Sequence, residues 1–336
     1  MNIKEVARRA RVSTATVSRT INGSAKVSPE TASRVRAAIQ ELDFYPNTNA
    51  RALGSGRSNF YGLIISDITN PFFPEIAKAF EDVADEHGQE VLMANTNYDP
   101  ARMESSVLRM LQRKVDGVAI LTSEMDDKLV RKLRGRSIPI VFLDIGSPGP
   151  GISVVRIDYA GGVDQGMDHL IRLGHRRFAF ISGPLQLSSA LTRFRAFNDG
   201  LARNHLITHQ ALIREGNHRV DGGHDAMARI LKSGARPTAV IASNDLTAIG
   251  AMGAIHESGL RVPEDISVLG YDDIQLSAFT QPTLTTVRLP RDEIARLAFH
   301  DLYRSNPTTA DQPVHGKEHL VRSTLVVRKS TGPACS

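Results

Sequence analysis

The sequence predicts an all-α helix-turn-helix head at the N-terminus and an α/β body of two lobes, each a doubly wound parallel sheet. Three observations predict this division. Apolar residues recur three and four positions apart through residues 3–42, as they do on one face of a helix. After about residue 59, short apolar runs alternate with helical segments, which indicates parallel strands covered by helices on both faces. One strand–loop–helix stretch of this body also echoes another, which predicts two lobes of one plan.

The positive charge of the chain is concentrated in the head. The 336 residues carry a formal net charge of +5. Residues 1–59 contain ten Lys and Arg against four Asp and Glu, which leaves +6 there and −1 in the remainder. This distribution is typical of a module that binds nucleic acid. A disordered basic arm would carry similar charge, but it would lack the helical periodicity of the apolar residues.

The overall composition is that of an ordinary globular protein, with 41% hydrophobic and 23% charged residues. The one cysteine, Cys335, excludes a disulfide within the chain and suits a reducing compartment. The first residues alternate charged and apolar types, unlike a signal peptide. No apolar run reaches the roughly 18 residues needed to cross a bilayer. We therefore expect a soluble cytoplasmic protein that has no contact with a membrane.

The head has the start signals of three helices. Lys4–Ala10 forms the first, and Ser13 is a good N-cap for the second, in which Val17 and Ile21 point inward. Ser28, followed by Pro and Glu, opens the third helix. Because a recognition helix enters the major groove by its N-terminal end, the outward residues of the second helix would meet base edges.

The outward residues of the second helix are Thr14, Ala15, Ser18 and Arg19. Arg19 can bond the O6 and N7 atoms of a guanine, and Ala15 can touch a thymine methyl. The plain alternative makes Arg19 a solvated surface residue. The charge of the head and its three-helix pattern favour the DNA contact.

The run IKEVARRARVSTATVSRTINGSAKVSPETASRVRAAIQELDFYPNTNARAL resembles the head of the lactose-repressor (LacI/GalR) family of transcription regulators. The resemblance implies base contacts for Thr14, Ala15 and Arg19. It also implies contacts with phosphates or grooves for seven further residues: Ile3, Ser13, Ser18, Asn22, Ser28, Thr31 and Asn47.

The same resemblance makes Asn49–Leu53 a hinge helix that forms on operator DNA, with Leu53 as a wedge in the minor groove. The small neighbour Ala50 would let the backbone approach the DNA closely, so that an apolar side chain can enter between bases. Alternatively, Leu53 is a linker residue that covers the body. Gly54 stands where some relatives carry a basic residue, so the resemblance does not carry that backbone contact over to this chain.

The body contains two series of short apolar strands with helices between them. The helix candidates include Glu75–His87, Met103–Arg113 and Val163–Leu173. The strand candidates are Tyr61–Ser66, Glu90–Ala94, Gly117–Leu121, Pro139–Leu143, Val154–Ile157, Arg177–Ser182, Ala211–Ile213, Ala239–Ser243 and Ser267–Gly270.

The internal echo pairs Ala79-Phe80-Glu81-Asp82 with Ala196-Phe197-Asn198-Asp199. The body resembles the periplasmic sugar-binding (type 1) fold that the family shares, which implies three crossovers near residues 158–162, 286–290 and 319–324. We expect a head over 1–46, a hinge and linker over 47–58, and an effector-binding and dimerisation core over 59–336. The first lobe would span about 59–158 and 288–318, and the second about 162–286 and 320–330.

Ligands of doubly wound sheets bind at the carboxyl ends of the strands, so two facing lobes would enclose a cleft there. After the first strand, Phe72 and Phe73 could stack on a ring and Asn70 could bond hydroxyls, although both rings could equally cap a core. Arg193 matches the family's effector-binding arginine, whose planar fork suits paired hydroxyls or a carboxylate. Four polar residues that follow strands could accept sugar hydroxyls, or cap the next helices: Asp144, Asn244, Asp245 and Asp272.

Three further positions refine the prediction of the ligand. Ser189 and His218 match effector-contacting positions of the family, which vary with the ligand. Leu187 stands where purine-binding members use a charged residue, which disfavours a purine. Tyr159 stands where the family usually has Asn, so the resemblance does not carry the family's contact at this lobe crossover over to this chain.

The sequence lacks the usual marks of an enzyme. It contains no H-E-x-x-H, C-x-x-C or G-x-S-x-G pattern and no phosphate-binding glycine loop. Alternatives for the core are a sugar-processing enzyme or a solute-binding protein, but neither would need the basic head. We expect no catalytic residues, metal or cofactor.

The sequence therefore predicts a transcriptional regulator, a repressor, that binds a palindromic DNA operator as a homodimer. Helix-turn-helix heads read twofold-symmetric sites, which is why two copies are expected. A small-molecule effector, a sugar or sugar derivative in the cleft between the lobes, would control this binding.

Overall fold

Three helices form the head in the computed structural model, which describes residues 2–21, 26–45, 58–122, 129, 131, 138–207, 209–305 and 315–335. They are α1 (Ile3–Ala10), α2 (Thr14–Ile21) and α3 (Pro29–Glu41). The head belongs to a compact unit, Met1–Ser58, separate from the unit Asn59–Ser336. Four predicted DNA-contacting positions lie outside the described residues: Asn22, Asn47, Ala50 and Leu53.

Local capping determines where the helices of the head begin. Asn2 and Glu5 form a reciprocal capping box at the start of α1. Ser28 accepts a hydrogen bond from the amide of Thr31 at the start of α3. The three helices enclose a small core whose fully buried centres are Val6, Val17 and Val35.

The first lobe of the body is built on a sheet in which all described neighbours are parallel. Its strand order is β11-β5-β4-β3-β1-β2. Most of these strands are nearly continuous apolar runs, as expected where helices cover both faces of a parallel sheet. The strands are β1 (Phe60–Ile65), β2 (Glu90–Asn95), β3 (Gly117–Leu121), β4 (Ile140–Leu143), β5 (Ile152–Asp158) and β11 (Glu318–Arg322), with helices α4 (Phe72–Glu86), α5 (Pro100–Arg113) and α10 (Arg291–Arg304).

The second lobe repeats this plan with the order β12-β10-β9-β8-β6-β7, and here β12 runs antiparallel to β10. The antiparallel strand lies at the edge, so the strands between the helices remain parallel. The strands are β6 (Phe178–Ser182), β7 (Ile213–Glu215), β8 (Ala239–Ala242), β9 (Ser267–Asp272), β10 (Thr285–Arg288) and β12 (Thr324–Val326), with helices α6 (Tyr159–Arg172), α7 (Ser188–Arg203), α8 (Val220–Lys232) and α9 (Asp245–Glu257).

The chain passes between the lobes three times: from β5 into α6, from β10 into α10, and from β11 into β12. Tyr271 donates to the carbonyl of Tyr159 at 3.3 Å and lies 3.1 Å from the hydroxyl of Ser323, so a single side chain ties two of these passages together. The crossings bring the carboxyl ends of both sheets to the same cleft.

The two-lobed α/β architecture that the sequence predicts is confirmed by the two sheets. One predicted strand is wrong, because residues Gln210–Leu212 form a short 3-10 turn and the strand follows at Ile213–Glu215. The strands β10, β11 and β12 were expected only as crossover segments.

Candidate functional sites

The outer face of α2 is available for contact with DNA. Thr14, Ala15, Ser18 and Arg19 are exposed, whereas Val17 on the opposite face is fully buried. The prediction of base contacts therefore rests on side chains that do not support the core of the head.

Two exposed serines cap the second and third helices of the head. The hydroxyl oxygens of Ser13 and Ser28 accept the amides of Thr16 and Thr31 at 3.2 and 3.4 Å. Helix N-termini attract anions such as phosphates, because their amides and dipoles point outward. Ser13 and Ser28 are exposed, and Ile3 and Thr31 are partly buried. Their contacts with DNA remain predictions.

A cavity of about 60 Å³ lies between the carboxyl ends of the two sheets. Both lobes contribute to its wall, as the doubly wound plan predicts. Eight of the ten predicted effector-binding residues line it: Asn70, Phe72, Phe73, Asp144, Ser189, Arg193, His218 and Asn244.

Arg193 is the centre of this site. It projects from α7, is 5% exposed, and its guanidinium carbon lies 5.0 Å from the ring centres of both Tyr159 and Tyr271. Aromatic faces stabilise a cation that has lost its water. Its Nε donates to the carbonyl of Ser189 at 3.2 Å, which orients the planar fork. The site therefore holds a fixed, desolvated donor group of the kind that binds paired hydroxyls or a carboxylate.

Asp272 does not line the cavity, but it lies next to Arg193, which does. One of its oxygens is 3.8 Å from Nη1 of Arg193, which is longer than a hydrogen bond. Burial raises the pKa of Asp272 to about 8, even though Arg193 acts to lower it. Its backbone φ of 109° lies in a region that L-residues rarely adopt, so the surrounding contacts must hold it there.

Asp144 lines the cavity from the end of β4 with both carboxylate oxygens already engaged. One accepts the amide of Ile157 and the other accepts the hydroxyl of Tyr159, each at 2.8 Å. Burial raises the pKa of Asp144, and these hydrogen bonds offset part of that effect. Tyr159, which departs from the family pattern, thus lines the cavity and connects Asp144 with Arg193.

His218 is a neutral, buried member of the wall. Burial and the nearby Arg193 lower its pKa to about 3, so the ring carries no charge at neutral pH. A Cβ on Gly183 would lie 2.1 Å from this ring, so only glycine allows the ring to pack there. Asn244 donates to the carbonyl of His218 at 2.9 Å and accepts the amide of Thr247 as N-cap of α9. Asn244 therefore combines a capping role with its place in the wall.

Asp245 is placed away from the cavity lining, in contrast to its predicted effector contact. It is fully buried in the second lobe and accepts hydrogen bonds from Ser277 at 2.6 Å, from the amide of Ile274 at 2.9 Å and from Thr286. Burial raises its pKa to about 7. These partners give the carboxylate a structural role, in which it holds the turn after β9 against β10.

The aromatic pair after β1 belongs to the core and also lines the cavity, and its stacking on a ligand ring stays a prediction. The rings of Phe72 and Phe73 meet edge-on, 5.2 Å apart, and belong to the hydrophobic core while also lining the cavity. Asn70 accepts the amide of Phe72 at 3.2 Å, which fixes the start of α4. The pair offers an apolar wall opposite the polar arginine.

Several lining residues were not proposed as effector contacts from the sequence: Ser66, Tyr98, Leu121, Thr122, Leu143, Tyr159 and Leu187. Most lie at or just after the carboxyl end of a strand, so strand position is the signal that could have found them. In the described part of the chain, no cluster of three or more potential metal ligands occurs. No helix there has both the length and the apolar character needed to span a membrane.

Comparison with known proteins agrees with both halves of this architecture. Residues 2–47 match the model of "Bacterial regulatory proteins, lacI family", and residues 167–331 match that of a periplasmic binding protein-like domain. The chain is 35% identical to the ribose operon repressor of Escherichia coli K12 over 314 residues, which are 92% of this chain and 95% of the relative. It is 36% identical to the HTH-type transcriptional repressor PurR of Klebsiella pneumoniae strain 342 over 303 residues, 89% of each chain.

The solved structures that are similar to this chain include that of the lac repressor dimer bound to operator and the anti-inducer ONPF. That structure superposes on this chain with a TM-score of 0.85 at 31% identity, and the match covers 99% of both chains. The resemblance seen in the sequence is confirmed by these matches. The chain belongs to the LacI family of bacterial regulatory proteins.

Proposed function

We propose that this protein is a transcriptional repressor that binds a palindromic operator as a homodimer and responds to a sugar or sugar derivative bound between its lobes. The observation that supports a sugar effector is the buried guanidinium of Arg193, which lies over two tyrosine rings in a cavity that Phe72 and Phe73 also line. Sugar sites combine such planar polar groups with apolar ring faces. The repressor role is supported by the relatives, since both compared relatives are named as repressors.

On the DNA side, we propose that Thr14, Ala15 and Arg19 read base edges. Their exposure on α2 and the excess positive charge of the head support this role. The other predicted contacts in the head, Ile3, Ser13, Ser18, Ser28 and Thr31, would position it on the phosphate backbone. The hinge role of Asn49–Leu53 is supported by the family resemblance and by the small residue Ala50 near the apolar Leu53.

The effector would act by favouring one arrangement of the lobes over another. The cavity wall comes from both lobes, so a ligand that touches both walls binds the closed arrangement more tightly than an open one. Three chain passages connect the two lobes of each subunit. Opening or closing of the cleft therefore changes how the two lobes are positioned relative to each other within the dimer. Coupling to the operator then requires that the two arrangements differ in affinity for DNA.

Two experiments test this proposal independently. Selection of binding sites from random DNA by the purified protein should yield a palindromic sequence, and the absence of any sequence preference would contradict the repressor function. A thermal-shift screen of monosaccharides, with D-ribose included because of the named relative, should raise the melting temperature for at least one sugar. Consumption of a bound sugar by the protein would instead favour the enzyme alternative.

A further inference from the structure

A charged contact joins the two lobes at the mouth of the cleft. Nη2 of Arg219 donates to Oδ2 of Asp67 at 3.0 Å and to Oδ1 of Asn97 at 3.1 Å. Asp67 and Asn97 follow β1 and β2 of the first lobe, whereas Arg219 directly precedes α8 of the second lobe. We call these three residues the mouth latch.

The mouth latch lies at the rim of the effector cavity. Each of its members is the direct chain neighbour of a residue that lines this cavity: Asp67 follows Ser66, Asn97 precedes Tyr98, and Arg219 follows His218. The latch can therefore form only when the two cavity walls have closed on each other.

A second and larger cavity of about 420 Å³ lies outside this rim. Tyr98 and Leu187 line both cavities, and Arg219 lines the outer one. The remaining outer wall consists of Pro100, Pro184, Gln186 and Asn217. The cleft thus has an inner chamber and an outer chamber, and the latch lies at their boundary.

The inner chamber is much smaller than the outer one. A water molecule needs roughly 10–15 Å³ of such space, so 60 Å³ holds about four to six waters. At a liquid volume of about 30 Å³ for each water, these waters occupy about 120–180 Å³, which limits the inner chamber to a small ligand. A ligand with a bulky substituent would have to extend into the outer chamber, past the latch.

The acceptor of the latch is held in place by contacts within its own lobe. The side chain of Asp67 is 3% exposed, and its Oδ1 accepts the amide and the hydroxyl of Thr69 at 2.9 and 2.6 Å. Burial acts to raise the pKa of Asp67, but the hydrogen bonds from Thr69 and Arg219 outweigh it and the pKa lies below its usual value. Oδ2 therefore presents a charged acceptor on the first lobe, and Arg219 reaches it from the second lobe.

We propose that Arg219 is a specificity-determining residue that closes the inner chamber over a single unsubstituted sugar ring and excludes effectors with a bulky outward group. This inference rests on the proposed sugar effector and adds the size class of that ligand. Removal of the guanidinium would open the inner chamber into the outer one. The free sugar would then bind less tightly, because the latch would no longer stabilise the closed lobes around it. A substituted sugar would gain space for its substituent in the outer chamber.

Calorimetric titration of the full-length protein tests this role. The ligands are the monosaccharide that gives the largest thermal shift and two O-benzyl derivatives of it, one substituted at the anomeric position and one at the opposite end of the ring. The wild-type protein should bind the free sugar at least about tenfold more tightly than either derivative. Arg219→Ala should weaken binding of the free sugar by about two- to tenfold. It should also reduce the ratio between the affinity for the free sugar and the affinity for the derivative whose substituent points outward.

The control variant is Arg229→Ala, which removes an exposed cation near the far end of α8 and should leave all three affinities unchanged. Arg219→Lys keeps the charge without the planar fork and should give an intermediate preference. Arg219 is half exposed, and an unchanged melting temperature of the variants without ligand verifies their folding.

The outcomes separate this inference from the proposed function. The specificity role of Arg219 is overturned if the wild-type protein binds a benzyl derivative as tightly as the free sugar. It is also overturned if Arg219→Ala leaves the preference for the free sugar unchanged. The proposed sugar effector stands in both cases. If no monosaccharide binds the wild-type protein at all, both the proposed sugar effector and the specificity role of Arg219 are overturned.

Discussion

Truncation of Arg193 tests the effector site most severely. In the structure its guanidinium carbon lies 5.0 Å from the centres of two tyrosine rings, and its Nη1 lies 3.8 Å from the buried carboxyl of Asp272. Arg193→Ala removes the central donor of the cavity and leaves a carboxyl group buried without its cation. Loss of hydrogen bonds from a charged donor to the ligand costs about 1.5–3 kcal/mol of binding free energy, which corresponds to a roughly 10- to 150-fold weaker Kd.

The assay is calorimetric titration with the monosaccharide found in the thermal-shift screen. Arg195→Ala is the matched control, since this arginine lies on the same helix but is exposed, and its affinity should equal that of the wild-type protein. Operator binding without sugar should be unchanged in both variants, because neither residue belongs to the head. An Arg193→Ala protein that binds the sugar within threefold of the wild-type Kd would refute the assignment.

Three further predictions concern the head and two buried carboxyls. Arg19→Ala should cost about 1–3 kcal/mol of operator affinity and relax the base preference at one position in a site selection; an unchanged preference would make Arg19 a mere surface residue. Asp245→Ala should lower the free energy of unfolding by about 3 kcal/mol or more in urea titrations, because three hydrogen-bond donors lose their acceptor, whereas the exposed Asp225→Ala should have little effect. The raised pKa of Asp272, about 8 against an ordinary 3.8, means that the folded protein keeps a proton which the unfolded chain releases. The stability that this group contributes is therefore complete below about pH 3.8 and is lost as the pH rises through about 8. In the Asp272→Asn variant the free energy of unfolding should fall less between pH 5 and 8 than it does in the wild-type protein. Parallel pH profiles of the two proteins would contradict this prediction.

Apolar runs were sufficient to locate the strands of both sheets wherever helices cover both faces. The run Gly117–Leu121 is fully buried and lies where the sequence predicts it. The short run Ala211–Ile213 misled the prediction, because its first two residues belong to a 3-10 turn. The strand Thr285–Arg288 was not predicted as a strand, since its polar threonines are buried at the passage between the lobes and break the apolar pattern.

The wall of the cavity was predictable to the extent that strand ends and family positions mark it. Asp144 and Arg193 were found in this way, whereas Tyr98 and Thr122 were not, because a polar residue after a strand looks like any turn residue. Asp245 follows a strand in the same manner, yet its carboxylate turns into the lobe, where three donors hold it. Only side-chain direction distinguishes these cases, and sequence spacing does not determine it.

The mouth latch lies beyond any local pattern. Arg219 and Asp67 are 152 residues apart in the chain and meet because two separately folded lobes close on each other. A sequence reading treats each as an ordinary charged residue in a loop. Their pairing depends on the relative position of the lobes, which the three passages between them determine.

The central claim is that sugar binding in the body controls DNA binding by the head, and operator affinity with and without saturating sugar measures it directly. With the selected operator and the sugar identified in the screen, the Kd for DNA should change by about 5- to 150-fold. The direction depends on which arrangement of the lobes the sugar binds more tightly. Arg193→Ala should abolish this change at the same sugar concentration. An operator Kd that stays within twofold under saturating sugar would contradict the account.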